Sequence, residues 1–127
     1  MKRIKITAGN ITLEATLADT ACAEMIWNVL PLSIKINTWG DEIYFSIPIH
    51  HELDATARDI VEVGDLGYWP DGPAFCIFYG HTPISTDKEI RPASAVNIIG
   101  KVIGDPTSLR TVPPGSKITI EQSREDA

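Results

Sequence analysis

The chain has 127 residues and a formal net charge of −6, with 43% apolar residues. That length suits one domain around one core and is too short for two, and the apolar content argues against disorder. The acidic balance argues against nucleic acid and membrane surfaces as partners, since both attract a cationic footprint.

The start, Met1-Lys2-Arg3, is basic like a signal peptide, but Lys5, Gly9 and Asn10 interrupt any apolar stretch after it. No run approaches the ~20 apolar residues that span a bilayer. A cytoplasmic protein is expected, with Cys22 and Cys76 as small apolar thiols in a reducing compartment.

Residues 2 to 17 read as a hairpin turning at Gly9-Asn10, where positive φ is tolerated. This turn predicts Ile4 opposite Ala15 and Ile6 opposite Leu13 on one face. On the other it sets Lys5 opposite Glu14, an opposite-charge pair. Residues 19 to 30 read as the single helix. Asp19 or Thr20 caps it, Cys22, Met25, Ile26, Val29 and Leu30 recur at helical spacing, and Pro31 stops it. Residues 33 to 48 read as a second hairpin around Gly40-Asp41. It pairs Ile34 with Ile47 and Ile36 with Phe45 on an apolar face. It pairs Lys35 with Ser46, Asn37 with Tyr44 and Trp39 with Glu42 on the other.

His50 to Asp59 reads as a surface loop or helical turn, and Ile60 to Val63 as a short strand. The run from Gly64 to Pro73 is dense in Gly and Pro and predicts a long ordered loop. Ala74 to Tyr79 reads as a central strand, Gly80 to Pro92 as a loop, Ala95 to Ile103 and Lys117 to Glu121 as strands. Residues 1–121 form the domain in this reading, and 122–127 a flexible acidic tail. The expected fold class is mostly β, a closed barrel of about eight strands with one capping α-helix. Closure would remove the exposed edges of such short strands.

No metal-binding or cofactor motif is present. His50 and His51 are adjacent and point to opposite faces of any strand they join, and His81 stands alone. There is no nucleophile elbow and no phosphate loop. Asp41, Asp65 and Asp71 each adjoin a glycine, as turn-forming aspartates do. The aromatic residues carry more information, because they gather between residues 39 and 79. Trp39 and Tyr44 fall on the polar face of the second hairpin, and Tyr68-Trp69 on the expected loop. Aromatic bodies with polar tips at a loop-rich end suit a binding groove. In this reading Trp39, Tyr44, Tyr68, Trp69 and Tyr79 are its walls. Asn37, Glu42, Asp65, His81 and Thr82 orient the ligand, and Lys35 supplies a local cation. Burial of the same aromatics beneath the loop is the alternative.

Three blocks of this sequence resemble motifs of the cyclophilin-like small barrels of bacteria and archaea. They are Trp39-Gly40-Asp41-Glu42-Ile43-Tyr44-Phe45, Gly64-Asp65-Leu66-Gly67-Tyr68-Trp69-Pro70, and Ala74-Phe75-Cys76-Ile77-Phe78-Tyr79-Gly80-His81-Thr82-Pro83. The resemblance implies the barrel fold over nearly the whole chain. Cyclophilins proper are prolyl isomerases whose strand-borne arginine donates toward the prolyl nitrogen, with Phe-Met and Gln shortly after. The nearest stretch, Phe45-Ser46-Ile47-Pro48-Ile49-His50, holds none of these, so isomerase activity is disfavoured. Only Arg58, Arg91 or Arg110, all in expected loops, remain as substitutes. Similar barrels also occur in amidohydrolase-type and carboxylase-associated assemblies. The expected function is a binding module for a small polar ligand or a peptide. A weak isomerase and an interaction subunit that meets a partner protein are the alternatives.

Overall fold

A computed structural model describes residues 2–125. Ten strands form one sheet: β1 (Lys2–Ala8), β2 (Ile11–Leu17), β3 (Leu32–Lys35), β4 (Asn37–Thr38), β5 (Glu42–Ser46), β6 (Ala57–Arg58), β7 (Asp65–Trp69), β8 (Ala74–Phe78), β9 (Val96–Ile103) and β10 (Lys117–Glu125). The spatial order is β3-β10-β1-β2-β9-β7-β8-β5-β4, with β6 paired to β9 off this path. One α-helix, α1 (Ala21–Val29), follows β2, and a 3-10 helix (Pro106–Thr111) follows β9. The latter is capped by Asp105, whose carboxylate accepts from the Thr107 amide at 2.9 Å. No helix among the described residues is long and apolar enough to cross a membrane.

The first hairpin has the expected register, with Ile4 opposite Ala15, Lys5 opposite Glu14 and Ile6 opposite Leu13. Alternation then buries Ile4, Ile6 and Ala8 completely. The ion pairs run diagonally or to the next strand: Arg3 meets Glu14 at 3.7 Å and Lys5 meets Glu121 at 3.8 Å. Thr20 caps α1 by accepting from the Ala23 amide at 3.2 Å. The helix buries Cys22, Ala23, Ile26 and Trp27.

The expected second hairpin is only half formed. Asn37 faces Tyr44 and Thr38 faces Ile43, but residues 32 to 35 leave β5 and pair with β10, placing Ile34 opposite Ile118 and Lys35 opposite Lys117. Ile36 makes the switch. Its amide donates to Ser116 O at 2.9 Å and its carbonyl accepts from Gly115 at 3.0 Å. This corrects the closed barrel of about eight strands: the sheet has ten strands and is not closed. Its end strands β3 and β4 are not paired with each other, and the chain merely passes between them through Ile36.

Three further expectations are overturned. The stretch 64 to 73 is not one long loop. Residues 65 to 69 form β7, in the middle of the sheet between β9 and β8, with Gly64 in a turn before it and residues 70 to 73 in a turn after it. Gly67 is there for packing, since a Cβ on it would lie 2.9 Å from Val96 Cγ2 and 3.2 Å from a Phe78 ring carbon. The strand expected at 60 to 63 is reduced to a bridge between Val61 and Ile90. Residues 122 to 125, expected as tail, continue β10 and pair with β1, so that Gln122 faces Ile4 and Glu125 faces Lys2. The remainder of that tail lies outside the described residues.

Both faces of β8 are buried. Phe75 and Ile77 join the main core with Ile4, Phe45, Tyr68 and Ile118, where Phe45 and Phe75 stack at 5.3 Å between ring centres. Ala74, Cys76 and Phe78 join Val61 and Val96 in a second cluster on the opposite face, flanked by Tyr44 and Trp69.

Candidate functional site

The site is built on that second face. β7, β8 and β5 lie side by side, and strand alternation sends every second side chain away from the main core. Glu42 and Tyr44 come from β5, Cys76 from β8 and Trp69 from β7. Tyr44 lies opposite Cys76, which in turn lies opposite Gly67. Trp39 from the β4–β5 turn, Val96 from β9, and Pro92 and Ala93 from the loop before β9 complete a cleft of about 310 Å³.

Local hydrogen bonds fix the two mobile-looking walls. In the loop, Ser85 Oγ accepts from the Thr82 amide at 2.9 Å and the Arg91 amide at 3.0 Å, and Thr82 Oγ1 donates to Arg91 O at 2.5 Å. In the turn, the Asp41 amide donates to His81 O at 2.8 Å, and Arg110 Nε donates to Asp41 Oδ2 at 3.0 Å. Gly40 has φ +60°, and a Cβ there would sit 2.7 Å from His81 O. A side chain would therefore push turn and loop apart. Trp69 Nε1 donates to Ser94 Oγ at 2.6 Å, which orients the indole.

Glu42 is the polar feature of the cleft. Its side chain is buried, with only 6% of the residue exposed, and Oε1 has no hydrogen-bond partner among the described residues. Burial raises its carboxyl from the ordinary carboxylate range to about 7, opposed by a hydrogen bond from the Cys76 side chain. Burial, and then the neighbouring Glu42, push the Cys76 thiol well up, so it stays protonated. Both cysteines are free and buried.

Of the ten residues expected to bind ligand, the structure brings Trp39, Glu42, Tyr44 and Trp69 together in the cleft. Tyr68 points the other way, fully buried, its hydroxyl donating to Ile49 O at 3.1 Å and accepting from the His51 amide at 3.1 Å. Tyr79 belongs to the main core. Asp65 lines a separate, more polar depression of about 600 Å³, accepts from the Glu62 amide at 2.8 Å and meets Lys101 at 3.6 Å. Asn37, His81 and Thr82 do not line the cleft, although Thr82 ties its loop. Lys35 is no local cation, for it lies in β3 against β10. Sequence reasoning missed Cys76, Pro92, Ala93 and Val96. Alternation opposite Tyr44 signals Cys76, whereas nothing local signals where the Pro92-Ala93 loop will rest.

Among the described residues no arginine lines the cleft. Arg91 is paired with Glu89 and Arg110 with Asp41, while Arg58 borders the other depression. Among the described residues no group of three His, Cys, Asp or Glu side chains is placed to hold a metal ion.

The chain belongs to the cyclophilin-like family, whose model matches residues 2–121. It is similar to the hypothetical protein AF2241 from Archaeoglobus fulgidus, known from a solution structure. That protein is 37% identical, the match covers 96% of this chain and 95% of that one, and the TM-score is 0.81. It also shares its fold with McbB, solved in complex with tryptophan, at 17% identity and a TM-score of 0.72. That match covers 98% of this chain and 46% of McbB, so the chain spans about half of McbB's length. No curated protein matches the sequence.

Proposed function

We propose that this protein is a small-molecule-binding module and that the cleft between the outer face of β7-β8-β5 and the 80–94 loop is its site. The observation that carries the reading is a pocket walled by Trp39, Tyr44 and Trp69 with one buried carboxyl, Glu42, at its wall. Ligand sites are typically of this kind, mostly apolar and aromatic with a few placed polar groups, and of about 300 Å³ or more. The fold alone does not argue function. McbB, on the same fold, was solved with tryptophan, which makes flat aromatic molecules the first class to test. The isomerase reading is the weaker one, because no arginine among the described residues lines the cleft. A cytoplasmic setting accords with two buried free thiols.

The test is amide NMR with a panel of small aromatic amines, aromatic acids, uncharged heteroaromatics and proline-containing peptides. The expected result is shifts confined to residues around Trp39, Glu42, Tyr44, Trp69 and Cys76. Replacing Trp39 and Tyr44 together with Ala should abolish them while the dispersed β-sheet spectrum remains. Shifts elsewhere, or accelerated cis/trans exchange in the peptides, would sink this reading.

A further inference from the structure

We infer that the ligand carries a protonated amine on a flat apolar body, and that Glu42 receives the amine. The inference rests on the cleft being a binding site, and it specifies what that site takes. Oε1 of Glu42 is buried without a partner among the described residues, and a buried acceptor left unmet is costly, more so when charged. The Cys76 thiol hydrogen-bonds the carboxyl group, yet no donor from the walls reaches Oε1. The Trp69 indole N–H is engaged by Ser94, and Pro92, Ala93 and Val96 offer only apolar side chains. A donor on the ligand is the missing partner.

Charge decides which donor. Among the described residues no Lys, Arg or His lines the cleft, so above about pH 7, where Glu42 is ionised, a carboxylate or phosphate ligand would meet it with nothing to offset the repulsion. An ammonium instead gains a charge-assisted hydrogen bond. It also gains attraction to the faces of Trp39, Tyr44 and Trp69, which favour cations. The apolar body is set by the remaining walls, since three aromatic rings and Val96 reward burial of a flat hydrocarbon surface. Glu42 titrates near neutrality when the cleft is empty. An ammonium beside it favours the ionised form, so binding releases protons where Glu42 is partly protonated.

The experiment is an NMR titration at pH 8 with three probes of one shape: 2-phenylethylamine, 2-phenylethanol and 3-phenylpropanoate. The amine should bind roughly ten- to a hundredfold more tightly than the alcohol, in line with a hydrogen bond to a charged group, and the acid most weakly. Glu42→Gln should remove most of the amine's advantage over the alcohol, leaving only what the aromatic faces contribute. Equal binding of all three at the cleft would overturn the amine inference and leave the binding module standing. A preference for the amine that survives Glu42→Gln undiminished would overturn the assignment of Glu42 as the group that receives the amine. Absence of cleft shifts with every probe would overturn both.

Discussion

A carboxyl that keeps its proton to about pH 7 when folded makes stability depend on pH, and proton counting gives the sign. Between the ordinary carboxylate value and about 7, the folded chain holds the Glu42 proton and the unfolded chain does not. Stability from this group is therefore complete at low pH, falls as pH rises through that window, and is lost above it. The span corresponds to about 3 kcal/mol. Glu42→Gln keeps the shape and removes the titration. Its melting temperature should match wild type near pH 5 and exceed it by several degrees near pH 8. Equal melting curves at both pH values would show that Glu42 is solvated in solution.

Loop and strand elements show where local sequence is a poor guide. Two hydroxyls tie the 82–91 loop: Ser85 Oγ, which meets Thr82 and Arg91, and Thr82 Oγ1, which donates to Arg91 O. Ser85→Ala should cost about 1–2 kcal/mol in denaturant unfolding and weaken ligand retention, because Pro92 and Ala93 ride on that loop. In β7, Gly67→Ala should cost about 1–3 kcal/mol by overpacking against Val96 and Phe78. The double variant Gly67→Ala, Val96→Ala should lose less than the two single losses added, which a double-mutant cycle measures. Gly64, Gly67, Pro70, Gly72 and Pro73 together suggest a loop, yet Gly64 and the run from Pro70 turn the chain while Gly67 does not. Gly67 is in the sheet because a neighbouring strand needs the space. That misreading also put Tyr68 and Trp69 in one group. On a strand they are on opposite faces, so Trp69 lines the cleft and Tyr68 anchors the core. By contrast the register of the 2–17 hairpin was legible residue by residue, because pattern and turn both act within sixteen residues, although the Lys5 ion pair is with Glu121 rather than Glu14.

For the molecule as a whole, what was legible were the β content, the single α-helix and the family. The path of the sheet was not. Ile36 hands the chain from β10 to β5 through bonds to residues 115 and 116, some eighty positions away, and no local pattern encodes such a partner. The same distance effect hid the end of β10. Ile4, Arg3 and Lys2 pair with Gln122, Arg124 and Glu125, and Gln122 Nε2 donates to Trp27 O at 3.0 Å. Truncation after Glu121 should lower stability by about 1–3 kcal/mol, read by thermal unfolding. An unchanged melting temperature would return residues 122 to 125 to the status of a tail.

The placement of the three tryptophans has a practical consequence. Trp39 and Trp69 line the cleft, while Trp27 lies on α1, in the main core beside Lys2. Replacing Trp27 with Phe would leave two emitters, both at the cleft. The protein would then report occupancy through its own fluorescence, with no label attached.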